Sequence, residues 1–375
     1  ANKYDFIDLS QFYIDFQIIE DGYEIYKGIT KLPALKPNTI AKIKLPYNVE
    51  LNQEKESFIN LQLRLKDANL WAEKDYPMAS AQFALNKIDG RLKPIDESKE
   101  AFDIKEDSKQ ISLENKGFKI SFDKQNGEIL YWKYDGFEVI SDRKGSPHYN
   151  NNRWIENDKH GDSISGELAS TCEIKLNKER TKAEIKVTTM DEKCPYTIEY
   201  TVYSNNIVDM KVTMNPIVEG LRRLGLGMIF SKDFEEIDYY AKGPWENYND
   251  RQEASFVGRY STTVTDMLTP YAHPQSCGNR QEMREIFLYK KGSTKGLKIE
   301  ANQPIAFSML HFDDKDFNKE KLHPWELNPR EEVYAHFDFV QRGLGNGSCG
   351  PQTIEKYQVP SSGTYSFTLR FSPLK

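Results

Sequence analysis

Apolar and polar side chains alternate along most of this chain, and helical spacing is almost absent. Phe12, Ile14, Phe16 and Ile18 take every second position, the period of a strand with one buried face. Asp21-Gly22 interrupts the pattern before residues 23–26 resume it. Alternation on both sides of Asp-Gly predicts a two-residue hairpin. Ile59, Leu61, Leu63 and Leu65 repeat the period, as do residues 40–45 and 79–85. Short strands at this spacing predict an immunoglobulin-like β-sandwich over residues 1–88.

Residues 89–110 break the rhythm. They are charged, contain Gly90 and Pro94, and carry few apolar side chains, which predicts a linker. From 111 onward the strands become longer. Residues 118–122, an Asn126-Gly127 turn and residues 129–132 make a hairpin. Residues 172–176, 182–189, 196–203 and 207–214 continue as a meander, with turns at 177–180 and 204–206. Residues 111–375 are therefore expected to form one large antiparallel sandwich, so that the whole chain is all-β.

Composition narrows the function classes. Apolar residues make 38% of the chain and charged ones 29%, as in ordinary globular domains. No apolar run reaches membrane-spanning length, and a net charge of −6 without Lys/Arg blocks argues against nucleic acid. Aromatics make 12%. Most of those rings belong in a strand-rich core, and the rest offer faces on which a sugar can stack. Cys172, Cys194, Cys277 and Cys349 show no CxxC spacing and no paired histidines, so no zinc site is expected. The chain opens Ala1-Asn2-Lys3 without Met or a signal-peptide pattern. An excised piece of a longer soluble protein is expected, its compartment, cytoplasm or periplasm, left open by any upstream export signal.

Three stretches are neither periodic nor simple loops: residues 243–251 (GPWENYNDR), 269–284 (TPYAHPQSCGNRQEMR) and 334–351 (YAHFDFVQRGLGNGSCGP). Polar and aromatic groups in such runs must satisfy one another or nearby backbone. Familiar catalytic templates are missing: no GxxxxGK[ST], GxSxG or HExxH occurs. Residues 345–350 match GxGxxG, yet Pro351 and an extended segment follow where a dinucleotide fold needs a helix. Asn346-Gly347-Ser348 is a sequon by chance.

In this order and at this spacing, the three stretches resemble the C-terminal small domain of family 2 β-galactosidases. Residues 1–88 resemble the domain after the catalytic barrel in those enzymes, through NKYDFIDLSQF near the start and Trp71-Ala72 beside Ala81-Gln82-Phe83. The resemblance implies a many-stranded supersandwich similar to the galactose mutarotase fold. It implies no catalytic residue in this chain, because the family's two glutamates and its magnesium ligands sit on a (β/α)8 barrel. The implied partners are that barrel and a β-galactoside or oligosaccharide, within a parent that is a homo-oligomer.

The resemblance also assigns site residues. Tyr334 takes the place of an aromatic residue, typically Trp, that lines the sugar site. Residues 153–166 correspond to an Arg-Ala-Pro-x-Asp-Asn-Asp motif and the closing loop after it. Arg153, Asn157 and Asp158 are kept, Glu156 replaces an Asp, Trp154 is inserted, and Gly161 and Gly166 bracket the loop as hinges. The family's helix after this loop has no counterpart, which equally fits a plain surface loop. His323 and Glu326 in LHPWEL fit either sugar ring opening or a capped turn. Ser276 replaces a glutamate of the family's Pro-Gln-Glu-Asn-Gly segment. Glu246, Asn247, Asp250 and Arg251 are expected to form a structural network, since each unpaired buried group costs about 1–3 kcal/mol. Two other readings stand beside this one: a free-standing carbohydrate-binding or mutarotase-like protein, and the small subunit of a two-chain β-galactosidase.

Overall fold

A computed structural model describes residues 1–88, 90–96, 100–156, 158, 170–318, 320–347 and 350–374. The chain divides into two compact units, Ala1–Asp89 and Gly90–Lys375. Among the described residues no helix is long and apolar enough to cross a membrane.

The first unit is built on four antiparallel strands, β1 (Phe12–Glu20), β2 (Tyr23–Lys31), β3 (Ser57–Leu65) and β4 (Pro77–Asn86), in the order β2-β1-β3-β4. Asp21 and Gly22 have φ of 46° and 82°, the left-handed pair that matches a hairpin's twist. Phe16, Ile18 and Ile59 are buried on one face, and Leu45, Val49 and Leu51 pack over them. The covering layer is thus irregular chain between β2 and β3. Residues 40–45 alternate in sequence but form no strand, and Ile40 is exposed. Pro37 and Pro46 bracket the segment and cannot donate to a ladder.

The second unit stacks two sheets. The smaller holds β5 (Asp103–Glu106), β6 (Gln110–Asn115), β7 (Phe118–Asp123), β8 (Ile129–Tyr134) and β9 (Phe137–Ile140) in chain order. Strand β5 falls in the stretch expected as linker, and its Ile104 packs on the core. The larger sheet holds β10 (His148–Tyr149), β11 (Ser170–Leu176), β12 (Lys182–Thr189), β13 (Tyr196–Tyr203), β14 (Val208–Met214), β15 (Arg223–Phe230), β16 (Phe234–Gly243), β17 (Phe256–Thr263), β18 (Arg280–Lys290), β19 (Gly296–Leu310), β20 (Val333–Gln341) and β21 (Tyr365–Leu374). Its main path runs β10-β15-β20-β19-β21-β14-β13-β12-β11, and β18, β16 and β17 branch from β19.

Alternation explains the stacking. Tyr196, Ile198, Tyr200 and Val202 of β13 point inward while Thr197, Glu199 and Thr201 lie toward solvent. Phe122 meets Tyr200 at 5.3 Å between ring centroids, and Trp132 meets Phe371 edge-on at 5.3 Å. Each such buried side chain contributes about 1.5–3 kcal/mol. At the Asn126-Gly127 turn Gly127 has φ +75°, and a Cβ there would lie 2.2 Å from Val187. Only glycine lets the turn close against the larger sheet.

The hub is β19. Its residues 296–301 pair with β21, and residues 306–310 pair with β20. Strand β20 is gripped on its other side by β15. This sets one aromatic residue, Tyr334, between Ile229 and Leu310.

Candidate functional site

Tyr334 is half-buried at the start of β20. The Arg330 guanidinium lies 5.4 Å from its ring centroid, within cation–π range. Asp316 grips that guanidinium with two hydrogen bonds of 2.8 Å, and its carboxylate raises the Arg330 pKa. Burial pushes the Tyr334 phenol up, so the hydroxyl stays protonated and can donate. The ring borders a cleft of about 1150 Å³ whose other walls come from the smaller sheet and from residues 229–233.

Behind Tyr334 the sheet buries charge. Arg223 Nη1 donates to Asp338 Oδ2 at 2.9 Å, and the two side chains are 3% and 0% exposed. Asp314 faces His336 at 3.1 Å, accepts from Asn150 at 3.0 Å and lies 3.8 Å from Arg223. Burial alone would raise the Asp314 carboxyl, but His336, Arg223 and Asn150 outweigh it and hold it at about 2. The run Arg223-Leu-Gly-Leu-Gly makes room for these groups. A Cβ on Gly225 would fall 2.1 Å from Asp338 Oδ1, and one on Gly227 would crowd Asn150 and His148.

The three aperiodic stretches meet beside this cluster. Glu246 accepts from the Tyr271 hydroxyl, from Arg251 at 2.5 Å and from the Gly278 amide at 2.9 Å. Asn247 donates to the Lys242 and Trp245 carbonyls and accepts from the Gln281 amide at 2.9 Å. Asn279 donates to the Asn247 carbonyl at 2.7 Å, and the Asn247 amide returns a bond of 2.8 Å. Asp250 takes the amides of Leu344 and Gly345 at 3.0 and 2.8 Å. Arg251 also covers the Tyr248 ring at 5.3 Å. All four of these side chains spend their polar groups holding loops together.

Residues 114–371 match the model of the β-galactosidase small chain, and residues 1–86 match that of β-galactosidase domain 4. The chain belongs to the β-galactosidase small-chain family. A β-galactosidase from Streptococcus thermophilus is 24% identical over 387 residues, 98% of this chain and 36% of its own. One from Staphylococcus xylosus is 32% identical over 152 residues, 40% of this chain and 15% of its own. This chain thus spans about a third of the length of relatives that it matches end to end. Among solved structures, an aldose epimerase homologue from C. elegans is 11% identical with a TM-score of 0.41, covering 69% of this chain and 96% of that one.

In this small-chain domain the Arg153 segment turns inward. Arg153 and Asp158 pair at 2.7 Å with side chains 0% and 5% exposed. Arg153 also donates to the Arg342 carbonyl, and burial lowers its pKa. The pair therefore fastens the Asp158 turn to residues 341–343. Ser276 takes a bond from the Trp154 amide at 2.9 Å. Asn157, Gly161 and Gly166 lie outside the described residues, as does Cys349. Glu326 accepts from the amides of Leu322 and His323, closing their turn, and His323 stacks on Trp325 at 4.3 Å.

Two features of the site escape sequence reasoning. Arg330 reaches Tyr334 only because Asp316 holds it from across a loop. Arg223, Asp314 and His336 come from three separate segments. One signal did exist: arginine beside glycines in an otherwise apolar run is costly unless a carboxylate waits nearby.

Proposed function

We propose that this chain is the non-catalytic C-terminal portion of a family 2 β-galactosidase, an enzyme hydrolysing terminal β-D-galactosides, and that Tyr334 supplies one wall of its sugar site. The observation that carries this reading is the succession of two β-galactosidase family matches along one chain. Tyr334 at the lip of an open cleft supports the second half of it. A retaining glycosidase needs two carboxylates roughly 5–5.5 Å apart, carried in this family on a (β/α)8 barrel. The described residues form strands and short 3-10 turns; in this reading the barrel and its glutamates belong to the rest of a parent protein that would itself assemble as a homo-oligomer. Magnesium belongs with the barrel too. Among the described residues no three His, Cys, Asp or Glu side chains group to hold a metal ion.

Assayed alone on a chromogenic galactoside, the purified chain is expected to give no turnover. Turnover above a heat-inactivated control, co-purifying with the chain, would end this reading. The matched family's description as a small chain favours a second arrangement, in which the barrel is a separate subunit. Co-expression with a large subunit restoring activity would distinguish it.

Tyr334→Ala in the full-length enzyme tests the wall. Ring contacts of this kind are worth about 0.5–1.5 kcal/mol, so KM for disaccharides should rise about two- to tenfold. The effect should be larger for disaccharides than for an activated aryl galactoside. If Tyr334 were only a packing residue, its truncation would instead cost about 3–5 kcal/mol of stability. Lost stability with unchanged KM removes Tyr334 from the site.

A further inference from the structure

Strand β19 ends on Leu310, opposite Tyr334 of β20. The next residue, His311, fastens the irregular segment that leads into β20. Its carbonyl accepts from the Arg330 amide at 2.8 Å. Its ring reaches two further groups: Nδ1 lies 3.0 Å from the Glu332 carbonyl, and Nε2 lies 2.8 Å from Glu235 Oε2 on β16. The His311 and Glu235 side chains are 14% and 17% exposed.

Both ring nitrogens thus face acceptors. A carbonyl never donates, and a carboxyl group donates only when protonated. A neutral imidazole carries one N–H, so beside an ionised Glu235 it can make one of these bonds and not both. The pair therefore holds one proton more than a neutral imidazole and a free carboxylate would. That proton belongs on the ring. Burial alone would raise the Glu235 carboxyl, but His311 and Thr265 outweigh it and hold it below the usual value. The charged residues around the ring are Glu235 on β16, Arg330 and Glu332 on the segment before β20, and Asp313 two residues along its own chain. The turn after β17 contributes the Thr265 amide, bound to the other oxygen of Glu235 at 3.3 Å.

Other ties on this segment are weaker or more local. Residues 328–332 are exposed and form no strand. Lys232 and Glu331 pair while 63% and 75% exposed, where an ion pair contributes little. Asp316 grips Arg330 from within the same loop. His311 supplies a buried link from the segment to β16.

We propose that His311 is a proton-operated latch and a positioning residue: its imidazolium ties the segment before β20 to β16 and keeps Arg330 over the Tyr334 ring, and loss of the proton opens the tie. Either neutral tautomer breaks it, because one nitrogen then turns a lone pair toward an acceptor. The consequence for activity rests on the reading of Tyr334 as a wall; the latch itself does not.

The test follows the full-length enzyme from about pH 5.5 to about pH 8.5, across the range in which imidazoles titrate. Hydrogen exchange of the amides of residues 330–332 reads local opening of the segment. At the acid end the wild type should exchange about tenfold more slowly than His311→Gln, which cannot take up the proton. At the alkaline end the two should match. Over the same range the ratio of KM for a disaccharide to KM for an aryl galactoside should rise about two- to fivefold in the wild type. It should stay flat in His311→Gln. Glu235→Gln should move the wild-type steps to lower pH, because an amide favours a neighbouring cation less than a carboxylate does. That variant also keeps the test open if His311→Gln misfolds. Equal exchange in wild type and His311→Gln at every pH overturns the latch, as does a step that Glu235→Gln leaves unmoved. A pH-dependent exchange step with a flat KM ratio keeps the latch and removes Tyr334 from the wall instead.

Discussion

Asp338→Asn should destabilise the protein by about 3–5 kcal/mol, the range for stripping one partner from a buried ion pair. The substitution keeps the side chain's shape, so no cavity term enters. What changes is the charge facing Arg223, whose Nη1 lies 2.9 Å from Asp338 Oδ2 in a site neither side chain leaves. Gln341 also donates to that carboxylate, at 3.2 Å. With Asp338 neutral, Arg223 keeps only Asp314, 3.8 Å away, as a carboxylate neighbour. Adding Arg223→Met to Asp338→Asn should recover part of the loss, since removing both charges also removes their desolvation cost. Urea unfolding of the wild type and the two variants measures it. A loss below about 1 kcal/mol for Asp338→Asn, or no recovery in the double variant, would show that Arg223 is satisfied without the pair.

The meander β11–β14 was legible because β12, β13 and β14 each have one wet and one dry face and β11 alternates half-buried with exposed positions, which writes the period into the sequence. Strand β15 has no such signature. Arg223, Leu224, Gly225, Leu226, Gly227 and Met228 are all buried, so both faces are dry and alternation vanishes. Strand β5 carries a single apolar residue, Ile104, and reads as linker. Residues 40–45 mislead in the opposite direction, alternating without a partner strand to pair with. The candidate site divides in the same way. Residues 243–251 stood out because aperiodic polar runs must find partners, and they find them in the other two stretches. Tyr334 was reachable only through resemblance to a family. Its neighbour Arg330 and the cluster of Arg223, Asp314 and His336 depend on loop paths that no local pattern encodes.

The same cluster should make the protein acid-sensitive through Asp314. Its carboxyl is held at about 2 against an ordinary 3.8, which at about 1.4 kcal/mol per pH unit corresponds to roughly 2 kcal/mol of stability. A depressed carboxyl stabilises the fold fully above its unfolded value and loses that contribution as pH falls through its folded value. The window is therefore pH 4 down to 2, and about half the contribution should survive at pH 3. The groups facing Asp314 are His336 on β20, Arg223 on β15, and Asn150 after β10, with His148 nearby. Arg223 stays charged throughout that window, so its attraction to Asp314 is lost only when the carboxyl itself is protonated. Asp314→Asn removes the titrating group and keeps its size. Unfolding free energies of wild type and variant should differ by about 2 kcal/mol at pH 7, with the gap shrinking by about half at pH 3. A gap that stays constant from pH 7 to pH 3 would mean that Asp314 does not titrate in this window, and that its partners stabilise the fold through shape alone.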